Sequence, residues 1–245
     1  LGSVIHNSQV VSRLAGAGVQ IVDEIDVISG GTAIIPAHGR SPSDIEKLRQ
    51  RGVAIVDATC PHVVVPQKAV ADMADQGRVI VFLGDRAHPE VRAVPSYAGG
   101  SRVIFVKDVS RLPSLEGVKR AGVVAQTTQS GEAFSALVAE IRNRVADVAV
   151  KDTICSATRQ RQREAGELSR QVDAMVVIGG RSSANTKRLA DISGRNCAVT
   201  LLIESASELD ASMLKGAGTV GVTAGASTPE WVIAEVVDRL KGFCR

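Results

Sequence analysis

Two cysteines, Cys60 and Cys155, lie where a short strand pattern gives way to a helix pattern. Cys60 follows the apolar run 53–56, which predicts a buried parallel strand. In an open α/β sheet, ligands bind beyond the carboxyl ends of the strands. Thiolates at that edge can ligate an iron–sulfur cluster or zinc, although two are too few for a complete site. A buried structural cysteine is the competing interpretation for Cys60.

The remaining cysteines do not extend this pair into a known metal motif. All four cysteines are far apart in sequence, which excludes a disulfide framework and a CxxC zinc site and favours a reducing, intracellular setting. Cys197 is predicted to be a structural thiol, and Cys244 to lie in a terminal tail. His62 falls in the predicted first helical turn after Cys60, so we do not assign it as a ligand.

Three of the four histidines fall in predicted strand-end loops, together with hydroxyl and amide side chains. Such groups carry few fixed charges and suit a polyanion such as diphosphate, which helix amino termini also bind. The turns 179–180 and 224–226 contain glycine and allow a close approach of the backbone to a ligand. For any single loop, ordinary loop composition is the better explanation. The candidates are His6, His38, His88, Ser182, Ser183, Asn185, Ser227 and Thr228.

Glu90 is a candidate proton donor because it follows His88 and Pro89 in one of these loops. A carboxyl group enclosed in a pocket beside an anion would have a raised pKa and could deliver protons. The alternative is a solvated loop carboxylate. Thr127 and Thr128 could relay a proton or cap the following helix, and their spacing favours the cap.

The composition indicates a globular protein and excludes some function classes. Hydrophobic residues make up 44% of the 245 residues, but aromatic residues only 2%, too few for a protein that stacks nucleic-acid bases. No apolar run approaches the about 18 residues of a membrane span, and no secretory signal pattern is present. The net charge of +3 fits an anionic small ligand, and an ordinary solvated surface explains it equally well.

The apolar runs and amphipathic stretches form three successive groups of strands alternating with helices. We therefore expect an α/β fold of three similar βα domains, with parallel sheets arranged around a central cavity. The expected domains are residues 1–60, 61–152 and 153–245. The local predictions include a helix capped by Asn7, a strand over 19–22, a capping box that opens a helix at Ser43, and a helix over 132–145.

Eight motifs follow one another in an order that resembles the LytB/IspH family of 4-hydroxy-3-methylbut-2-enyl diphosphate reductases. The resemblance covers nearly the whole chain, and the ordered set is far more specific than any one motif. The motifs are Ile-His-Asn at 5–7, Ala-His-Gly at 37–39, Asp-Ala-Thr-Cys-Pro at 57–61, His-Pro-Glu-Val at 88–91, Gln-Thr-Thr at 126–128, Ile-Cys-x-Ala-Thr at 154–158, Ser-x-Asn-Thr at 183–186 and Gly-Val-Thr-Ala-Gly-Ala-Ser at 221–227.

This resemblance implies a cytoplasmic reductase that performs the last step of the non-mevalonate isoprenoid route. Such an enzyme removes the allylic hydroxyl of its small diphosphate substrate and gives isopentenyl and dimethylallyl diphosphate. Electrons arrive from ferredoxin or flavodoxin through a [4Fe–4S] cluster that three cysteines hold, and the fourth iron acts as a Lewis acid on the hydroxyl. Neither a nucleic acid nor a membrane is implied as a partner.

The functional residues of the family carry over motif by motif. Cys60 and Cys155 match two of the cluster ligands. Glu90 matches the proton source, Thr127 lies near the substrate hydroxyl, and His88 joins them as a catalytic residue. The diphosphate cradle is matched by His6, His38, His88, Ser183, Asn185 and Ser227.

The sequence departs from the family pattern at three places. The first cluster cysteine is missing, and we expect this third ligand upstream of Leu1, in a segment lost by truncation. Ala184 stands where many relatives have Ser or Gly, and 64–66 replaces a stretch that often carries basic residues. The alternative function is a diphosphate-binding protein without redox activity because its cluster site is incomplete. A zinc hydrolase is disfavoured because no HExxH or paired CxxC spacing exists.

Overall fold

Helices and strands alternate along the chain. The computed structural model describes residues 1–243, so Cys244, expected in a terminal tail, lies outside the described residues. The strands are β1 (Thr32–Ile35), β2 (Ala54–Asp57), β3 (Val79–Leu83), β4 (Val103–Val106), β5 (Arg120–Ala125), β6 (Asp147–Val150), β7 (Ala174–Ile178), β8 (Val199–Ile203) and β9 (Val220–Ala224). The α-helices are α1 (Ser8–Gly16), α2 (Pro42–Gln50), α3 (Pro61–Asp75), α4 (Pro89–Arg92), α5 (Val94–Tyr97), α6 (Gly131–Arg142), α7 (Ser156–Leu168), α8 (Ala184–Gly194) and α9 (Glu230–Phe243).

The strands of the described residues form three sheets in which every pair is parallel. The strand orders are β1-β2, β4-β3-β5-β6 and β8-β7-β9. Parallel neighbours need crossover connections, which helices commonly supply. The predicted α/β class with parallel sheets is thereby confirmed. One sheet falls within each predicted group, while the domain boundaries after residues 60 and 152 stay a prediction.

The chain divides into two compact units. The first unit comprises Leu1–Val4 and Ile21–Cys155 and contains the two-stranded and four-stranded sheets. The second unit comprises Ile5–Gln20 and the chain from Ser156 on, and contains the three-stranded sheet. Helix α1 thus belongs to the second unit, although its sequence neighbours on both sides belong to the first.

The four-stranded sheet is covered on both faces, because successive side chains of a strand point to opposite faces. Val81 packs in one cluster with Leu137 of α6, whereas Ile80 packs in a second cluster with Val70 of α3. These four side chains are fully buried, and each contributes about 1.5–3 kcal/mol to the fold. The predicted helix over 132–145 is confirmed, and its buried residues are those expected: Phe134, Leu137, Val138 and Ile141.

The register of the same sheet fixes where its loops emerge. Leu83 at the end of β3 lies opposite Ala125 at the end of β5. The loop that begins at Gly84 and the loop that begins at Gln126 therefore leave the same edge of the sheet. Two of the candidate residues, Glu90 and Thr127, follow these two strand ends in the sequence.

Two strand predictions near the amino terminus are wrong. Strand β2 is not buried: Val56 is 51% exposed, because β2 has only β1 as a neighbour within the described sheets. The run 19–22 forms no strand. The Val19 amide instead donates to the Leu14 carbonyl at 3.0 Å in the turn that ends α1.

The helix caps were predicted with mixed success. The cap of α1 is confirmed, since Asn7 Oδ1 accepts the Val10 amide at 3.1 Å. Helix α2 begins two residues earlier than expected, at a Ser41 hydroxyl that accepts the Asp44 amide at 3.1 Å. A proline follows this cap directly and is well suited to the first helical position. The capping box at Ser43 is therefore wrong.

Four short or polar elements were not predicted from the sequence. Strand β6 has only four residues, and helices α4 and α5 have four residues each, so none shows a full period of its hydrophobic pattern. Helix α8 was not predicted because its first turn is polar. Among the residues that the structure describes, no helix is long and apolar enough to cross a membrane.

Candidate active site

Cys60 is the cap residue of α3 and lies against the end of β1. Its backbone amide donates to the Ala37 carbonyl at 2.9 Å, which ties the cysteine to the turn that contains His38. The thiol is free and partly exposed. His62 follows in the first turn of α3 and is exposed.

Cys155 occupies a comparable position directly before α7. Its backbone amide donates to the Thr127 carbonyl at 3.0 Å, and its thiol is free and partly exposed. Both cysteines belong to the first compact unit. The described residues contain no group of three or more His, Cys, Asp or Glu side chains that could hold a metal ion. The two thiols therefore fit an iron–sulfur ligand set in chemical type, but not in number.

Cys197 has the environment of a structural thiol. It is 4% exposed, and its sulfur donates to the carbonyls of Val172 and Val199 at 3.7 and 3.4 Å. It belongs to the second unit. This agrees with the sequence interpretation.

Glu90 is a buried carboxyl group that Thr127 holds by two hydrogen bonds. It lies in the first turn of α4 and is 4% exposed. The backbone amide of Thr127 donates to Oε1 and the Thr127 hydroxyl donates to Oε2, each at 2.8 Å. Burial raises the pKa of Glu90 to about 7, and the two hydrogen bonds from Thr127 oppose this rise because they favour the charged form. The interpretation of Glu90 as a solvated loop carboxylate is therefore wrong.

The same bonds decide the position of Thr127. Its spacing favoured a helix cap, but α6 is capped by Ser130, whose hydroxyl accepts the Ala133 amide at 3.1 Å. Thr127 faces Glu90 instead and is 6% exposed. Its carbonyl accepts the Cys155 amide at the same time. One residue thus connects the buried carboxyl group to the cysteine segment.

The first unit also contains two of the candidate histidines, His38 and His88. His88 caps α4, and its Nδ1 accepts the Glu90 backbone amide at 3.2 Å. In a neutral imidazole this bond leaves the proton on Nε2. His38 follows β1 and precedes Gly39, whose φ of +77° is the left-handed conformation that glycine adopts readily. A Cβ at Gly39 would lie 2.6 Å from Gln67 Nε2, so a larger residue would displace the end of the Gln67 side chain.

The second unit brings His6 and Ser227 together. The Ser227 hydroxyl donates to the His6 carbonyl at 3.1 Å. Burial lowers the pKa of His6, which favours the neutral imidazole. A Cβ at Gly180 would lie 2.5 Å from the His6 carbonyl oxygen, so only glycine permits this close approach. The turn 179–180, which the sequence predicted to approach a ligand, therefore lies close to the backbone of His6.

Asn185 is a buried polar residue of the second unit whose side-chain amide has no hydrogen-bond partner in the part of the chain that the structure describes. It is 3% exposed, and neither its amide nitrogen nor its amide oxygen has a hydrogen-bond partner among the described residues. It lies in the first turn of α8, where Ser183 is the cap residue and accepts the Thr186 amide at 3.3 Å. A buried amide without partners is unfavourable, and an anion at a helix amino terminus would relieve this cost.

Two other candidates from these loops have different environments. Ser182 is exposed. The Thr228 hydroxyl donates to the Ile178 carbonyl at 3.0 Å and so stabilises the end of β7. Two buried polar residues had no role assigned to them from the sequence. They are Gln126, the first residue of the motif at 126–128, whose Oε1 accepts the Asp85 amide at 3.3 Å, and Thr153, whose hydroxyl accepts the Ala125 amide at 2.9 Å.

The candidate residues thus divide between the two units, and each unit has its own kind of chemistry. The first unit carries the thiols, the buried carboxyl group and two histidines: His38, Cys60, His88, Glu90, Thr127 and Cys155. The second unit carries neutral hydrogen-bonding groups: His6, Ser183, Asn185 and Ser227.

A family model described as LytB protein matches residues 1–241. The chain belongs to the LytB family. Among curated LytB proteins, the chain is 48% identical to the 4-hydroxy-3-methylbut-2-enyl diphosphate reductase of Citrifermentans bemidjiense and 45% identical to that of Geobacter sulfurreducens. Each alignment covers 99% of this chain and 86% of the relative.

Solved structures of LytB relatives have the same fold. A structure of (E)-4-hydroxy-3-methyl-but-2-enyl diphosphate reductase, described as the terminal enzyme of the non-mevalonate pathway, is 40% identical with a TM-score of 0.72 and covers 99% of this chain and 87% of that one. The reductase of Plasmodium falciparum is 28% identical with a TM-score of 0.89, and the alignment covers 98% of this chain and 77% of that one. These likenesses support the α/β architecture over nearly the whole chain.

Proposed function

We propose that this LytB chain is a 4-hydroxy-3-methylbut-2-enyl diphosphate reductase. Two electrons and two protons would convert the allylic alcohol to isopentenyl or dimethylallyl diphosphate, and the hydroxyl would leave as water. Support comes from relatives of that name that align over nearly the whole chain. The structural observation that carries the proposal is the buried Glu90 carboxyl group, held by Thr127.

Glu90 is the proposed proton donor. A general acid works best when its pKa lies near the working pH, and burial brings the pKa of Glu90 to about 7. Thr127 orients the carboxyl group through both of its oxygens. His88 fixes the first turn of α4, which carries Glu90, by accepting the Glu90 amide. These three residues form the proposed catalytic group.

Cys60 and Cys155 are the proposed ligands of a [4Fe–4S] cluster. Their free, partly exposed thiols are donors of the type that such a cluster takes, and the described residues bring no third ligating side chain into a group with them. When bound, the cluster supplies electrons and an open iron that polarises the substrate hydroxyl. A ferredoxin or flavodoxin is the proposed electron donor.

Hydrogen-bonding side chains are proposed to bind the diphosphate group. The partnerless amide of Asn185 and the cap position of Ser183 support this role. Ser227 and the histidines complete the proposed set, which is His6, His38, His88, Ser183, Asn185 and Ser227.

The test combines metal analysis with turnover under anaerobic conditions. Iron and sulfide content, the visible absorption spectrum and turnover with dithionite are measured on this chain and on a longer form that begins upstream of Leu1. We expect the longer form to bind iron and to convert the allylic alcohol diphosphate. The variant Cys155→Ala should lose iron, whereas the matched control Cys197→Ala, which removes a buried thiol of the second unit, should keep it. A protein that binds the diphosphate but no iron in either form would instead be the redox-inactive binding protein.

A further inference from the structure

The segment that carries Cys155 continues the register of strand β6 after the strand itself has ended. At the end of the ladder, the Lys151 amide donates to the Val123 carbonyl at 3.0 Å. Four residues later, the Cys155 amide donates to the Thr127 carbonyl at 3.0 Å. The segment therefore stays aligned with β5 and its extension from residue 123 to residue 127.

Thr153 bridges the gap between these two backbone bonds with its side chain. Its hydroxyl accepts the Ala125 amide at 2.9 Å and donates to the Ala125 carbonyl at 2.6 Å. One hydroxyl thus makes both bonds that a neighbouring strand would supply to Ala125. Thr153 is 4% exposed and Ala125 is fully buried, so water does not compete for these bonds.

We propose that Thr153 is a positioning residue that holds Cys155 in register with Thr127, and through Thr127 with Glu90. Residues 151, 153 and 155 pair with residues 123, 125 and 127 in turn. If Thr153 is displaced, the segment loses its hydrogen bonds to Ala125, which lie two residues before Cys155. Residue 154 adds no backbone hydrogen bond to β5, because the Ile154 amide donates to Asp152 Oδ1 at 3.1 Å, and its side chain contributes apolar packing in the same core cluster as Val123 and Ala125. The role of Cys155 in metal binding rests on the proposed function, whereas the position of Cys155 relative to Thr127 does not.

The test compares the variants Thr153→Val and Thr153→Ser by the reactivity of individual thiols. Valine keeps the shape of threonine without its hydroxyl, whereas serine keeps the hydroxyl. The rate of iodoacetamide alkylation is followed for each cysteine by mass spectrometry in the reduced, metal-free chain. Cys60 serves as an internal reference, because it is also free and partly exposed and is held by Ala37 rather than by the Thr153 segment.

We expect Thr153→Val to raise the alkylation rate of Cys155 about tenfold or more, because two buried backbone groups lose their partner. The rate of Cys60 should stay unchanged, and Thr153→Ser should restore the wild-type rate of Cys155. An unchanged Cys155 rate, or equal increases at Cys60 and Cys155, would overturn the proposal. If Thr153→Val does not fold, the test rests on Thr153→Ser. A Cys155 alkylation rate in Thr153→Ser that differs from the wild-type rate would then overturn the proposal.

A second measurement separates this proposal from the proposed function. The longer form of the protein is reconstituted with iron and sulfide, and the loss of visible absorption is followed after a chelator is added. Thr153→Val should lose iron faster than wild type and Thr153→Ser should not. If wild type itself binds no iron, the metal role of Cys155 fails, while the alkylation rates still decide the role of Thr153.

Discussion

The ionisation of Glu90 gives the sharpest test of the site, because its pKa is tied to stability. Burial raises the pKa of Glu90 from 4.5 to about 7 in the folded chain. In the unfolded chain the group is solvated and its pKa returns to about 4.3–4.5. A difference of roughly 2.5 pKa units at about 1.4 kcal/mol each amounts to about 3 kcal/mol.

The sign of the effect follows from which state holds the proton. Below about pH 4.5 both states are protonated, and the contribution of Glu90 to stability is fully present. Between about pH 4.5 and 7 the unfolded chain ionises while the folded chain keeps its proton, so the free energy of unfolding falls by about 3 kcal/mol. Above pH 7 both states are ionised and this loss no longer grows.

The variant Glu90→Gln removes the ionisation and keeps a group that can bond to Thr127. Its free energy of unfolding, relative to wild type, should therefore rise by about 3 kcal/mol between pH 4.5 and 8. Urea denaturation followed by circular dichroism at several pH values measures this difference in the metal-free, reduced protein. The matched control is Glu116→Gln, which removes an exposed loop carboxyl group by the same substitution.

Direct titration provides an independent check. In protein labelled with ¹³C at the glutamate carboxyl groups, one resonance should titrate near pH 7 and be absent from the Glu90→Gln spectrum. A Glu90 resonance that titrates near pH 4.5, or a flat stability difference for Glu90→Gln, would refute the argument from burial.

Three further predictions concern neighbouring contacts. Thr127→Val should raise the pKa of Glu90 further, because the hydrogen bond from the Thr127 hydroxyl lowers that pKa, whereas Thr127→Ser should leave it unchanged. The same carboxyl titration measures both variants, and a lower pKa of Glu90 in Thr127→Val would contradict the prediction. Asn185→Leu should leave the melting temperature of the ligand-free chain unchanged or higher, since it removes a buried amide without partners, and should weaken pyrophosphate binding in calorimetry. Unchanged pyrophosphate affinity would remove Asn185 from the proposed site. Gly122→Ala should destabilise the fold by about 1–3 kcal/mol in urea denaturation, because its Cβ would lie 2.6 Å from Met73 Sδ. Combining it with Met73→Ala should give a loss smaller than the sum of the two, and strict additivity would show that the predicted clash is absent.

Thr127 contacts both the proposed proton donor and the segment of a proposed cluster ligand in the first unit. Its amide and hydroxyl bind the two oxygens of Glu90, and its carbonyl binds the amide of Cys155. A substitution that moves the peptide of Thr127 would therefore change both the carboxyl group and the cysteine segment. Effects of substitutions at Glu90 and Thr127 should for this reason be non-additive.

The sequence alone determined the fold class and most long elements. Apolar runs such as 79–83 and the periodic face of α6 report burial directly, because a strand or helix must hide its apolar side. The ordered motifs also identified the family and the candidate residues, including Glu90 and Cys155. These signals are local, so they can be read without knowing which segments meet.

Only the tertiary structure decided how those residues are used. The spacing of Thr127 favoured a helix cap, but the close approach of α4 to the end of β5 made it the partner of Glu90. The apolar run before Cys60 predicted a buried strand, but burial depends on neighbours, and β2 pairs only with β1 among the described strands. The hydrogen bonds of Thr127 to Glu90 join residues 37 positions apart, and the two hydrogen bonds between Thr153 and Ala125 join residues 28 positions apart. Sequence determines which side chains are present and the local conformations they favour, whereas desolvation and hydrogen-bond geometry depend on contacts that exist only once the chain has folded.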